Sequence, residues 1–298
     1  NGGWYRRSFG NQTFTDDTRF NLASNDGPFC LTAPSNANLP NGGGYQVCGI
    51  YNLKPSVFAQ NLPASNLVTF ADNFGGITNV YQGVDVNLDW RLPRGAFIRG
   101  GLNMQKREFN NCGLIEGAGP DAVVGTTFLG TEQYPFDNSS YCDRTYPYRP
   151  DAKFMGSYTL PLNIQFSATY QFTRGVQTGG AGPSIQANWA VTNAVINPFI
   201  GSNWTGAASR TVQLMREGLD FGDDNLNQID LRASKRFTVG RTRPRLDLDL
   251  YNVTNSNWAY TRNSTFSTAT NSAWLRPTNA LQSRFFKVGA QIEQKLAA

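Results

Sequence analysis

Residues 162–172 read LNIQFSATYQF, and the side chains alternate without exception. Leu162, Ile164, Phe166, Ala168, Tyr170 and Phe172 fall on one side of an extended chain, and Asn163, Gln165, Ser167, Thr169 and Gln171 on the other. Residues 79–92, NVYQGVDVNLDWRL, repeat the two-residue period: Val80, Val84, Val86, Leu88 and Trp90 oppose Asp85, Asn87, Asp89 and Arg91. Shorter copies lie at 96–104, 152–160, 185–189, 229–239, 246–250 and 286–292. Composition points the same way. Of 298 residues 40% are hydrophobic, 13% aromatic and only 16% charged, with 30 glycines and 15 prolines, where an ordinary domain is about 25% charged. Such a chain suits many strands and turns better than helices.

The period places ten strands, at 3–10, 79–91, 96–108, 148–160, 162–173, 184–196, 206–217, 227–239, 243–254 and 279–293. Short turns join them at LPRG (92–95), LPLN (160–163) and VGRTRPR (239–245), whereas long polar stretches run through 109–147, 174–183, 218–226 and 255–275. Tight turns on one side and long loops on the other are the plan of a bacterial outer-membrane barrel. With the short turns in the periplasm, an even strand count returns the last strand inward. A soluble sandwich also alternates along its strands, so length has to discriminate. Soluble strands run to about five or six residues, membrane strands need about 9–11, and several runs here exceed ten. The expected fold is therefore all-β, an antiparallel transmembrane β-barrel segment of about ten strands with long extracellular loops. That places the chain in the bacterial outer membrane, with its lipid as a partner; a secreted sandwich or β-helix is the alternative.

Other classes drop out by composition. Histidine is absent, which removes Ser-His-Asp and Cys-His catalysis and every histidine metal ligand. The net charge of +5 comes from scattered Lys and Arg with no basic run, so no nucleic-acid partner is expected. Cys30, Cys48, Cys112 and Cys142 lack CxxC spacing and all fall in outer loops. Four cysteines allow three pairings, of which Cys30 with Cys48 and Cys112 with Cys142 closes the shortest loops. Disulfides imply an oxidising compartment. No segment approaches the ~20 apolar residues of a membrane helix, and the opening NGGWYRRSF reads as that of a mature or truncated chain.

Several stretches carry a family resemblance: LYNVTNSN (250–257), WLRPTNALQSRFFKVGAQI (274–292), GWYRRSF (3–9), NNC (110–112) with YCD (141–143), and LPRGAFIRGG (92–101). Together they resemble the TonB-dependent outer-membrane receptors, particularly the Oar-like group with a carboxypeptidase-regulatory-like domain. The resemblance implies a 22-stranded barrel plugged by an N-terminal domain, importing a large or scarce solute with energy relayed through TonB. Ten strands are fewer than half of that barrel. Residues 1–298 are thus expected to be one β-barrel region, the C-terminal part of a larger barrel. Its partners would be the remaining strands and plug, TonB through the missing N-terminal part, and an unidentified cargo. The tail also resembles the signal read by the barrel-assembly machinery, at Lys287, Gly289 and Ile292, although Gln294 stands where the family has an aromatic.

The candidate site residues follow from this frame. Asp247 and Asp249 share a face about 6.5–7 Å apart, a separation that an inverting glycosidase can use. With Asp85 and Asp89 they are read instead as lumen-facing groups paired with arginines, and no enzyme activity is expected. Trp258 and Tyr260, in the last long loop, are candidate ligand contacts, and Trp274 is expected in an interfacial aromatic girdle. Asp220, Asp223 and Asp224, in DFGDDNLN, offer oxygen ligands of the kind Ca²⁺ takes, without the spacing of an EF-hand. No other cofactor is implied. Two other functions stay open: an assembly protein pairing through strand edges, and a secreted β-rich carbohydrate hydrolase.

Overall fold

The computed structural model describes residues 1–118, 141–178, 184–219, 225–240, 242–269 and 271–294. Eight strands form one antiparallel sheet in chain order: β1 (Gly2–Ser8), β2 (Thr78–Arg91), β3 (Phe97–Asn110), β4 (Arg149–Leu160), β5 (Ile164–Thr173), β6 (Leu226–Arg236), β7 (Thr242–Tyr251) and β8 (Phe285–Gln294). A short strand, Asp143–Thr145, pairs with the end of β3. The β2 and β3 strands reach 14 residues each and β4 reaches 12. All three short turns lie at one end of the sheet and all four long connections at the other. Among the described residues no helix is long and apolar enough to cross a membrane.

Ten expected strands thus become eight. The β5 strand pairs directly with β6, Thr173 opposite Leu226, so the expected strands at 184–196 and 206–217 are not part of the sheet. Their residues form a separate hairpin, Asn188–Thr192 against Ser209–Gln213, followed after its first strand by the helix Asn193–Ile200. Alternation at Trp189 and Val191 was real; its apolar side faces a local core. Because two strands leave together, the direction of the last strand is unchanged. Two boundaries also move. Leu162 and Asn163 take positive φ, 67° and 58°, in the turn Pro161–Asn163, so β5 begins at Ile164. Residues Pro277–Ala280 pair with Ala259–Arg262 in a loop hairpin, and β8 starts only at Phe285.

The buried core lies in the loops. Leu31, Ile50, Val191, Ile196, Trp204 and Val212 are essentially inaccessible and pack together from two of the long connections, with Phe266 and Trp274 joining from a third. Polar bonds hold these loops to one another. Buried Asn52 donates to the Asn203 carbonyl at 3.0 Å and accepts from Thr205 N–H at 3.0 Å. The Trp204 Nε1 donates to the Val191 carbonyl at 2.8 Å. Tyr45 and Tyr141 both donate to the Leu214 carbonyl, at 2.7 and 3.0 Å; burial, and secondarily Tyr141, pushes the Tyr45 hydroxyl up to about 12. Disulfides Cys30–Cys48 and Cys112–Cys142 close two of the loops, the first across directly opposed hairpin positions. The result is a cap at the long-loop end of the sheet.

The sheet itself has two unlike faces. One carries Val86, Leu88, Trp90, Phe166, Leu231 and Leu248, all largely exposed, and ends on Phe286, Val288 and Ile292 at 72, 68 and 74% exposure. Among the described residues no second layer covers it. The other face carries Asp85, Asn103, Ser157, Arg232, Asp247 and Asp249. Glycines let aromatics lie flat on both: a Cβ at Gly83 would come within 2.5 Å of the Tyr5 hydroxyl, and one at Gly100 would strike the Phe154 ring. The sheet does not close. The β1 and β8 strands each pair on one side only, and no barrel is formed by the described residues.

Candidate functional site

The polar face is an array of fixed charges built by register. Asp249 is buried against the Arg232 guanidinium, Nη2 to Oδ2 at 3.0 Å, and takes a longer bond from the Tyr251 hydroxyl at 3.4 Å. Asp247 accepts from Ser234 Oγ at 2.6 Å and from Arg245 Nε at 3.1 Å. Asp89 pairs with Arg99 at 3.2 Å in an exposed position, and Asp85 accepts from Asn103 Nδ2. All four carboxylates therefore share one face with their partners, and Asp247 and Asp249 are each held as acceptors.

Two adjacent cross-strand rows on this face enclose a hollow of about 360 Å³. Arg99, Met155, Thr169 and Asp230 stand opposite one another across β3 to β6, and Gly101, Lys153, Gln171 and Gln228 form the next row. Gly101 contributes no side chain, and the Asn87 side chain lies over it, its Oδ1 2.7 Å from where a Cβ would stand. Asp230 is fixed: Gln228 Nε2 donates to its two oxygens at 3.0 and 3.1 Å, and the Asn252 N–H donates at 2.8 Å. Asn252 is itself a knot at the end of β7, with φ 51° and its side-chain amide donating to the Ser256 and Gln282 carbonyls, each at 2.9 Å. Part of the stretch LYNVTNSN is thereby explained locally, since asparagine tolerates this left-handed backbone and ties the loop above the strand.

None of Lys153, Met155, Thr169 or Gln171 stood out in the sequence. Each sits at a polar-face position of an expected strand, and the signal that finds them is register: the tight turns 92–95 and 160–163 set which residues oppose one another. The aromatic pair in the last loop divides. Trp258 and Tyr260 meet edge to face at 5.1 Å, but Trp258 is 5% exposed and Tyr260 38%, so only Tyr260 offers surface to a ligand. Trp274 is not in a girdle; it is buried in the cap core, against Phe266 at 4.9 Å, with Nε1 donating to the Gln186 carbonyl at 3.1 Å. Lys287 and Gly289 face Asp249 and Asp247 across β7 and β8, and Ile292 faces Pro244. A Cβ at Gly289 would meet nothing closer than 3.8 Å, so no packing contact demands glycine there.

Asp220, Asp223 and Asp224 lie outside the described residues, and among the described residues no group of three or more His, Cys, Asp or Glu is arranged to hold a metal. On the apolar face a wider hollow of about 540 Å³ opens where Gly156, Ala168 and Ala233 leave a gap between Phe166, Leu231 and Leu248. Fold and faces define a predominantly antiparallel all-β protein with a loop-built cap. No family model, curated protein or solved structure matches the chain.

Proposed function

We propose that this chain is part of the transmembrane β-barrel of a TonB-dependent outer-membrane receptor, binding a solute with its cap and polar face. The single observation that supports this most is the uncovered apolar face. A sheet whose Val86, Leu88, Leu248, Val288 and Ile292 all stand exposed, while the protein's buried core lies elsewhere, suits a hydrocarbon surround, since water penalises contiguous apolar area. The β2 to β8 strands have the length to span it, and the gap over Gly156, Ala168 and Ala233 suits an acyl chain. In this reading the short turns are periplasmic and the cap extracellular, where disulfides persist. Further strands pair with β1 and β8, because hydrocarbon does not tolerate an open edge. Lys287, Gly289 and Ile292 belong to the assembly signal. A plug and TonB act through residues outside this chain, and the chain catalyses nothing; Asp247 and Asp249 are wall charges.

Tryptophan quenching tests the placement. In vesicles of brominated phospholipid, Trp4 and Trp90, exposed on the apolar face, are quenched, whereas Trp204, Trp258 and Trp274 in the cap are not. A Trp4→Phe/Trp90→Phe chain should lose the effect. Stable, unquenched protein in detergent-free buffer defeats the membrane reading. A second reading draws on the edges themselves. The β1 strand runs toward the cap and β8 away from it, so two copies can pair antiparallel at both seams. Native mass spectrometry showing a dimer without other chains would favour that assembly.

A further inference from the structure

We propose that the hollow on the polar face binds a small organic anion, its carboxylate or phosphate held by Lys153. This rests on the reading of that face as the wall of a solute path.

Within the hollow, Asp230 is held by Gln228 and the Asn252 backbone, neutral donors that fix the carboxylate without cancelling its charge, and Arg99 is paired with Asp89. Lys153 has no hydrogen-bond or ion-pair partner among the described residues. The acid nearest along its strand, Asp151, occupies the next same-face position and makes no ion pair with it. Opposite Lys153 on one side is Gly101, over which the Asn87 side chain lies; on the other is Gln171, whose amide can donate to the same anion. Met155, 48% exposed in the neighbouring row, gives a carbon skeleton an apolar surface beside the Thr169 hydroxyl. That combination of one charge, short-range donors and an apolar floor fits an organic anion better than a bare ion. The wider wall favours the same sign. Arg91 and Arg236 occupy the same face at the short-turn end and have no acid partner among the described residues. Their summed potential draws anions toward the wall.

Isothermal titration of the full chain in detergent with citrate, and separately with inorganic phosphate, tests this; glucose is the neutral control. Citrate binds, phosphate binds more weakly, and glucose gives no heat. Lys153→Met weakens citrate by at least about tenfold, Gln171→Glu does likewise by placing an acid beside the ammonium, and Lys153→Arg stays within a few fold. Arg6→Gln, on the opposite face, changes nothing. Unaltered citrate binding in Lys153→Met, glucose binding equal to citrate, or no citrate heat at millimolar concentration each overturns the proposal. Tryptophan quenching of the same samples separates the two failures: quenched protein without citrate binding defeats the anion alone, and unquenched protein defeats the barrel reading.

Discussion

The cap and the sheet use similar apolar residues toward opposite ends. In the cap, Leu31, Ile50, Val191, Val212 and Trp204 from distant loops converge until almost none of their surface is accessible. In the sheet, Leu88, Leu231, Leu248, Val288 and Ile292 line up on one face and stay exposed, with no layer of the described residues above them. The first arrangement is what water rewards, at about 25 cal/mol per Å² of apolar surface removed. The second gains nothing from water and is neutral in hydrocarbon. One chain thus carries two solutions suited to two solvents, and the boundary falls where the strands end and the loops begin.

The largest expected effect tests whether the cap has a core of its own. Trp204→Ala opens a cavity and removes the indole bond to the Val191 carbonyl, a loss of about 3–5 kcal/mol. Near-ultraviolet circular dichroism from the cap should collapse while Trp4 and Trp90 remain quenched by brominated lipid. If quenching disappears as well, cap and sheet are not separable and the contrast between them fails.

Leu248→Arg examines the other side. Leu248 is half exposed and central in β7, between Ala233 and Val288. At such a site in water a charge changes stability by about 0.5 kcal/mol or less, whereas near a bilayer midplane it costs about 2–4 kcal/mol. Urea unfolding of the chain in phospholipid vesicles should show the larger figure. A neutral substitution there would place the face in water.

Much of this division was legible in the sequence, and the exceptions have a common cause. The long alternating runs gave six of the strands from β2 to β7 because their period continued past ten residues or was bracketed by tight turns. The same period at Trp189 and Val191 misled. A two-residue alternation states only that one side is apolar, and cannot say whether lipid or Ile196 and Trp204 will cover it. Length was the missing discriminator: that hairpin pairs over five residues, half of what β5 offers. The charges of the wall were readable by parity, but the hollow at Lys153 was not. It depends on Thr169, Gln171, Gln228 and Asp230 standing beside β4 across β5 and β6, a fact of register that no single strand contains. Trp258 and Trp274 were misplaced for the same reason, since loop aromatics look alike until the loops meet.

The smallest effect concerns a pair of acids at the cap's edge, where two neighbours respond oppositely to the same strand. In the strand Thr13–Asp17, Asp16 shares the face of buried Phe14, and burial first, then the charge of Asp17, holds its carboxyl above the usual range. Asp17 is held below that range, chiefly by the side-chain bond from Arg19, Nη2 to Oδ2 at 2.6 Å. For Asp16 the folded state keeps its proton longer than the unfolded one, so stability falls as pH rises from 3.8, the ordinary value, through the raised one. For Asp17 the order reverses: its contribution is complete above 3.8 and is lost as pH falls through the lowered value. The two slopes oppose one another in the native chain. Asp16→Asn removes the first, so the variant should gain on the order of 0.5–1 kcal/mol at pH 7 and lose that advantage below the ordinary carboxylate range, where Asp16 is protonated in both states. Thermal unfolding of the cap at pH 7 and pH 3 measures it; an advantage that persists at pH 3 would mean that the asparagine acts through packing and that Asp16 carries no desolvated charge.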